Sequence, residues 1–112
     1  MSIEQTEVVD IISTDRTTGD VVLTISDHLD WSNSTAHQML LQSKLNRYLA
    51  FVESGEILES YPDARDRPVV FKVVFQIPPD EGGRAFLAKV KAVIESAGFT
   101  LRDEVFTSAG FN

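Results

Sequence analysis

Hydrophobic positions in this chain change their spacing several times, and each change marks an element. Residues 7–14, EVVDIIST, and 21–27, VVLTISD, are rich in Val and Ile, and DRTTGD lies between them. This predicts a β-hairpin, with Gly19 supplying a positive φ in the turn. In the second strand Val21, Leu23 and Ile25 share one side, and Val22, Thr24 and Ser26 the other. The period then becomes helical. Leu41, Leu45, Tyr48 and Val52 fall on one stripe, widened by Leu40, Leu49 and Phe51, with Lys44, Arg47 and Glu53 on the polar side. The spacing predicts an amphipathic helix over 34–54. Ser32, Asn33 and Ser34 are suitable N-caps, and Gly55 suits the position after the helix end.

Residues 69–77, VVFKVVFQI, form the strongest strand signal. Phe71, Val73, Phe75 and Ile77 share its apolar face, and Val70, Lys72, Val74 and Gln76 the mixed one. PPDEGG breaks the chain. Phe86 or Leu87, Val90, Ile94 and Ala97 then repeat with helical spacing, Asp80 and Glu81 suit the helix start, and Gly98 closes it. FTLRDEVF, 99–106, alternates as a final strand. The short segment EILESYP, 56–62, is compatible with an edge strand. The order is β-β-α-(β)-β-α-β, an α+β chain. The expected architecture is a two-layer sandwich. It has a four- or five-stranded, mostly antiparallel or mixed sheet with two helices on one face. A strand at 56–61 would make 21–106 a ferredoxin-like variant. Its central first strand, however, leaves no place for the N-terminal hairpin, so strand order stays open. One domain over 1–112 is expected, with loose tails at 1–6 and 107–112.

Composition narrows the function classes. The chain has 112 residues, 43% hydrophobic and 9% aromatic, which fits one globular core. It has no cysteine, which removes disulfides, thiolate metal sites and thiol nucleophiles. No apolar run approaches the roughly 20 residues that span a bilayer. The opening MSIEQTEVVD is unlike a secretory signal. A cytoplasmic, bacterial protein is the expectation. The net charge is −7, and residues 1–30 hold seven acidic residues against Arg16 alone. That end repels phosphate backbones, so nucleic acid is not an expected partner. It suits a basic protein partner, or serves to keep an edge hairpin soluble.

SDHLDWSNSTAH, 26–37, gathers the candidate chemistry. His28, Asp30 and His37 are metal-ligand types, but the i, i+4 His pairing of a helical metal site is absent. The other reading is a strand-to-helix turn, in which Asp, Ser and Asn cap the helix and Trp31 packs over its entry. Serines lie near both histidines, without the G-x-S-x-G elbow that would expose a nucleophile. EGGR, 81–84, offers a helix start with Arg84 for an anion, opposed by Asp80 and Glu81. YPDARDR, 61–67, brings Tyr61, Arg65 and Arg67 into a basic loop suited to an anion or acidic partner, or to a solvated turn.

The mixed sheet face is the remaining candidate. Val8, Ile12, Val22, Val70, Val74 and Phe106 are expected to point away from the helices, among Asp10, Thr24, Lys72, Gln76, Arg102 and Glu104. Such a patch suits an interface, with Val22, Val70, Val74 and Phe106 at its centre. Equally, branched side chains favour strands even at a surface.

VLTISDHLDW, LLQSKLNRYLAFVESGEI and YPDARDRPVVFKVVF, with FLAKVKAVIESAGF more weakly, resemble a family of small bacterial proteins of unknown function. The resemblance covers residues 8–106 and implies a stand-alone domain, with no activity, catalytic residue or cofactor attached. Two readings therefore stand. The first is a non-enzymatic interaction module that forms a homodimer or binds a protein partner, without a cofactor or metal. The second is a small-molecule or metal-binding protein, or a weak hydrolase, using the His28–His37 loop with Asp30, Trp31, Tyr61 and Arg65.

Overall fold

The structure is a computed structural model that describes residues 11–106 together with Ile3, Gln5 and Val9. Among the described residues four strands form one sheet in the order β1 (Ile11–Thr14), β2 (Val21–Asp27), β3 (Val69–Phe75) and β4 (Thr100–Val105). β1 runs antiparallel to β2, whereas β2, β3 and β4 are mutually parallel. Helices α1 (Ser34–Glu53) and α2 (Glu56–Ser60) connect β2 to β3, and α3 (Glu81–Ser96) connects β3 to β4. Both crossovers step in the same direction along the sheet. The right-handed rule then puts α1 and α3 on one face, where they pack against each other. The expected α+β two-layer architecture with a mixed sheet is the observed one.

The core follows from strand parity. Val21, Leu23, Ile25 and Phe71, Val73, Phe75 are buried against Leu41, Leu45, Tyr48 and Phe51 of α1 and Leu87 and Ile94 of α3. Each such side chain contributes about 1.5–3 kcal/mol through its removal from water. Tyr48 lies in this layer because its hydroxyl donates to the Thr24 carbonyl at 3.1 Å. Phe71 meets Phe99 edge-on, with ring centroids 5.7 Å apart.

Several local expectations are corrected. Residues 56–60 form α2 rather than a strand, and no ferredoxin-like variant arises. Gly55, at φ +84°, ends α1 in the left-handed region and lets a new helical turn start at once, burying Ile57. The first strand is described only from Ile11, and Val8 and Asp10 lie outside the described residues. Ile12 pairs with Leu23 and so faces the helices, while Ile11, opposite Thr24, takes the open face. β3 stops at Phe75, which leaves Ile77 half exposed beyond it. Lys44 is buried rather than on a polar face: it stands at i+3 from Leu41 and i−4 from Tyr48, on the buried stripe of α1, and its ammonium is satisfied there by the Gln5 carbonyl at 2.6 Å. Ile3, assigned from sequence to a loose start, is likewise buried in the core. Residues 107–112 lie outside the described residues.

Candidate functional site

Three elements meet where β2 ends. Continuing the parity of Val21, Leu23 and Ile25 puts Asp27 on the helix side of the sheet, fully buried. Asn33 caps α1 by accepting from the Ala36 amide at 3.2 Å, and this sets His37 in the first turns, facing the sheet. His37 Nε2 and Asp27 Oδ2 lie 2.5 Å apart. The other ring nitrogen, Nδ1, is 2.9 Å from the Asp30 carbonyl oxygen. A carbonyl only accepts, so Nδ1 carries a hydrogen. Nε2 and the carboxylate oxygen then form the second hydrogen bond of the ring. Asp27 Oδ1 also accepts from the Leu29 amide at 3.1 Å, which shapes the turn out of β2.

Trp31 covers this pair. Its ring stacks on His37 with centroids 3.7 Å apart and 20° between planes, and it tilts against Phe75 at 6.0 Å. Its Nε1 donates to the Ile77 carbonyl at 3.2 Å. Gly83 of α3 approaches the ring closely: an added Cβ there would stand 2.7 Å from the indole. Glycine is required here for close approach. Asp80 caps α3 by accepting from the Gly83 amide at 2.8 Å, and the same oxygen accepts from the Ser34 hydroxyl at 3.0 Å. One cluster thus ties together the end of β2, the start of α1 and the start of α3.

The chemistry open to this cluster is narrow. A catalytic imidazole held by a carboxylate must leave its second nitrogen facing a nucleophile or substrate. Here that nitrogen is spent on the Asp30 carbonyl, and Trp31 closes one ring face. Among the described residues, no group of three or more His, Asp and Glu side chains is arranged to hold a metal ion. Asp30 is solvent-exposed, and its carboxyl is held below the usual carboxylate range. The main causes are the Ser32 hydroxyl and then the Ser32 amide donating to it, and His37 adds a smaller electrostatic pull.

The candidate residues do not all converge. Trp31, Asp30 and His37 come together, and His28 is exposed beside them in the same turn. Tyr61 lies at the far end of β2, where its hydroxyl and that of Thr14 are 2.6 Å apart. Arg65 is exposed on the same loop, and Arg67 donates to the Asp63 and Gly19 carbonyls, pinning that loop to the hairpin turn. At about 3.3 Å per residue, the length of β2 separates Tyr61 and Arg65 from His37 by roughly 20 Å. At the start of α3, in the EGGR segment with Arg84, the Gly83 amide is engaged by the chain's own Asp80 carboxylate. On the open face Val22 and Val70 are buried, Val74 is half-buried and Phe106 is 57% exposed. Between α1 and α3 runs an apolar groove of about 370 Å³, walled by Leu45, Leu49, Phe86, Val90 and Val93. Asp27 is the residue that sequence reasoning missed. Its parity with three core residues of β2 was the available signal.

Fold and site together define a small α+β domain whose parallel strands are locked to their helices by a buried histidine–aspartate pair. The chain belongs to the family of unknown function DUF6572, whose model matches residues 1–107. Neither a curated protein nor a solved structure matches it.

Proposed function

We propose that the chain is a non-enzymatic interaction module that works by assembling with protein. The observation that carries this reading is β4. It is a six-residue strand at the sheet edge, and among the described residues nothing pairs with its outer side. Such an edge is a ready template for another strand. Phe106 stands exposed at the end of this strand, and the α1–α3 groove adds a second apolar surface. The reading of a ligand or metal at the His28–His37 loop gains no support from an imidazole with both nitrogens engaged. Among the described residues no helix is long and apolar enough to cross a membrane. The acidic N-terminal third favours protein over nucleic-acid partners, and a cytoplasmic location belongs to the same proposal. Native mass spectrometry of the chain, purified without a metal-affinity tag, tests the reading. An apo dimer or higher assembly supports it. A monomer that retains a small bound mass refutes it and returns attention to the His28–His37 loop.

A further inference from the structure

The geometry points to a second copy of this chain as the occupant of the β4 edge, paired antiparallel about a twofold axis at Asp103. This rests on the interaction reading above and specifies its partner.

Backbone direction is the first argument. The Phe106 amide donates to the Phe75 carbonyl at 2.7 Å. Residues of a strand alternate in the direction of their amide and carbonyl, so 100, 102, 104 and 106 turn toward β3 and 101, 103 and 105 turn outward. Antiparallel pairing must set outward residues opposite outward residues. With Asp103 on the axis, Leu101 faces Val105 of the partner subunit, and all three outward residues pair. This gives about six backbone hydrogen bonds, the most that β4 offers to itself. Shifting the register by two residues either way leaves one outward position of each strand without a β4 partner.

Charge selects the same register independently. Arg102 then lies opposite Glu104 of the partner subunit, twice by symmetry. These are the non-hydrogen-bonded positions, where facing Cα atoms approach to about 4.5 Å and side chains interact most closely. A shift one way sets Arg102 against Arg102 of the partner subunit, and the other way Glu104 against Glu104 of the partner subunit. Within one chain, Lys72 Nζ already lies 3.2 Å from Glu104, and Arg102 lies 4.0 Å from Asp20. Pairing therefore continues an alternating row across the axis. It reads Lys72, Glu104, Arg102 of the partner subunit and Asp20 of the partner subunit. Two Asp103 side chains meet at the axis on the helix side, where Arg84 and Lys91 line the same cleft and offset their repulsion. Exposed Phe106 comes to lie opposite Thr100 of the partner subunit. The other edge, β1, spans Ile11–Thr14 among the described residues, and these carry no charged side chain to alternate.

The test uses two exposed substitutions in the full chain, Arg102→Glu and Glu104→Arg, followed by sedimentation velocity, with circular dichroism to check the fold. Each variant alone faces two like-charge pairs across the axis. The expected result is a wild-type dimer that each variant weakens by at least about tenfold. Mixing the two variants restores a heterodimer, because every facing pair is then of opposite sign. A wild-type dimer indifferent to both substitutions, or variants not rescued by mixing, overturns the β4 pairing while leaving the interaction reading on another surface. A wild-type chain that stays monomeric and captures no protein partner overturns both.

Discussion

Substituting Asp27 separates the two things its carboxylate does: fill a hydrogen-bonding position and carry a charge. Asp27→Ala removes the 2.5 Å bond to His37 Nε2 and the 3.1 Å bond from the Leu29 amide. It leaves Nε2 without a partner on a residue only 3% exposed. Removing one member of a buried, hydrogen-bonded charge pair costs about 3–5 kcal/mol. That is a large share of the roughly 5–15 kcal/mol that holds a domain together. Asp27→Asn has nearly the same shape. Its Oδ1 still accepts from Leu29, and its amide donates to Nε2, because the hydrogen on His37 sits at Nδ1 facing the Asp30 carbonyl. Every polar group keeps a partner, and only the charge assistance is lost, about 1 kcal/mol or somewhat more.

The assay is urea unfolding. Trp31 is the sole tryptophan and stacks directly on His37, so its fluorescence reports on the site. Far-ultraviolet circular dichroism reports on the helices as a check that both transitions coincide. The expected ranking is wild type, then Asn close below, then Ala well below. If Asn proves as damaging as Ala, the charge rather than the hydrogen-bond geometry holds the pair, and the assignment of the Nδ1 hydrogen loses its energetic meaning. If Ala costs under about 1 kcal/mol, water or a rearranged loop satisfies Nε2, and the cluster is not the lock described above.

Two further outcomes test the surroundings of the pair. Gly83→Ala puts a methyl 2.7 Å from the Trp31 indole, whose ring is already stacked on His37 with centroids 3.7 Å apart. Overpacking of about 1–3 kcal/mol is expected, together with a changed Trp31 emission, whereas Gly82→Ala meets only the flexible ends of Gln38 and Ser34 within 3.4 Å and should cost less. The depressed Asp30 pKa has a definite sign. A carboxyl lowered in the folded state adds stability above its unfolded pKa, near 3.9, and that stability is lost as pH falls through the lower folded value. Ser32→Ala removes the leading cause, so the Asp30 titration followed by NMR should move up toward the ordinary range. No movement would show that the Ser32 bonds do not hold the carboxylate in solution.

Much of the fold was legible from spacing. α1, α3, β2, β3 and β4 are long enough for period 2 or 3.6 to declare itself, and their caps, Asn33 and Asp80, are the residue types that backbone amides require. What stayed hidden has physical reasons. EILES is shorter than two helical turns, so Ile57 and Leu58 carry no period, and only the left-handed Gly55 before them decides in favour of a helix. Residue type assigns Lys44 to the polar side of α1, but its spacing from Leu41 and Tyr48 puts it on the buried stripe, where its ammonium reaches the Gln5 carbonyl, a contact between residues some forty apart. The parallel order of β2, β3 and β4 follows from the alternation of strand and helix once 56–60 is helical, and reading EILES as a strand concealed it. Within SDHLDWSNSTAH the capping residues could be read, but the engagement of His37 with Asp27 crosses a turn whose path the composition does not fix.

The buried pair raises a question of design that a double substitution answers. A histidine and an aspartate at these positions are not the most stabilising choice, since a well-packed apolar pair of similar volume often matches or exceeds a buried ionic one. Their position suggests what they contribute instead. Both crossovers enter their helices at this point, α1 through Asn33 and His37 and α3 through Asp80 and Gly83, with Trp31 held between them. An apolar pair would hold these segments together without setting their angles, whereas two hydrogen bonds on one imidazole fix its plane and hence that of the stacked indole. The combined variant Asp27→Val, His37→Leu should therefore unfold within about 1–2 kcal/mol of wild type. It should also lose the near-ultraviolet dichroism of Trp31 and broaden the amide resonances of the turn and the start of α3. A variant equally stable with an unchanged Trp31 signal would mean that packing alone sets the helix entry, and the hydrogen-bonded pair would then have no structural role that leucine and valine cannot fill.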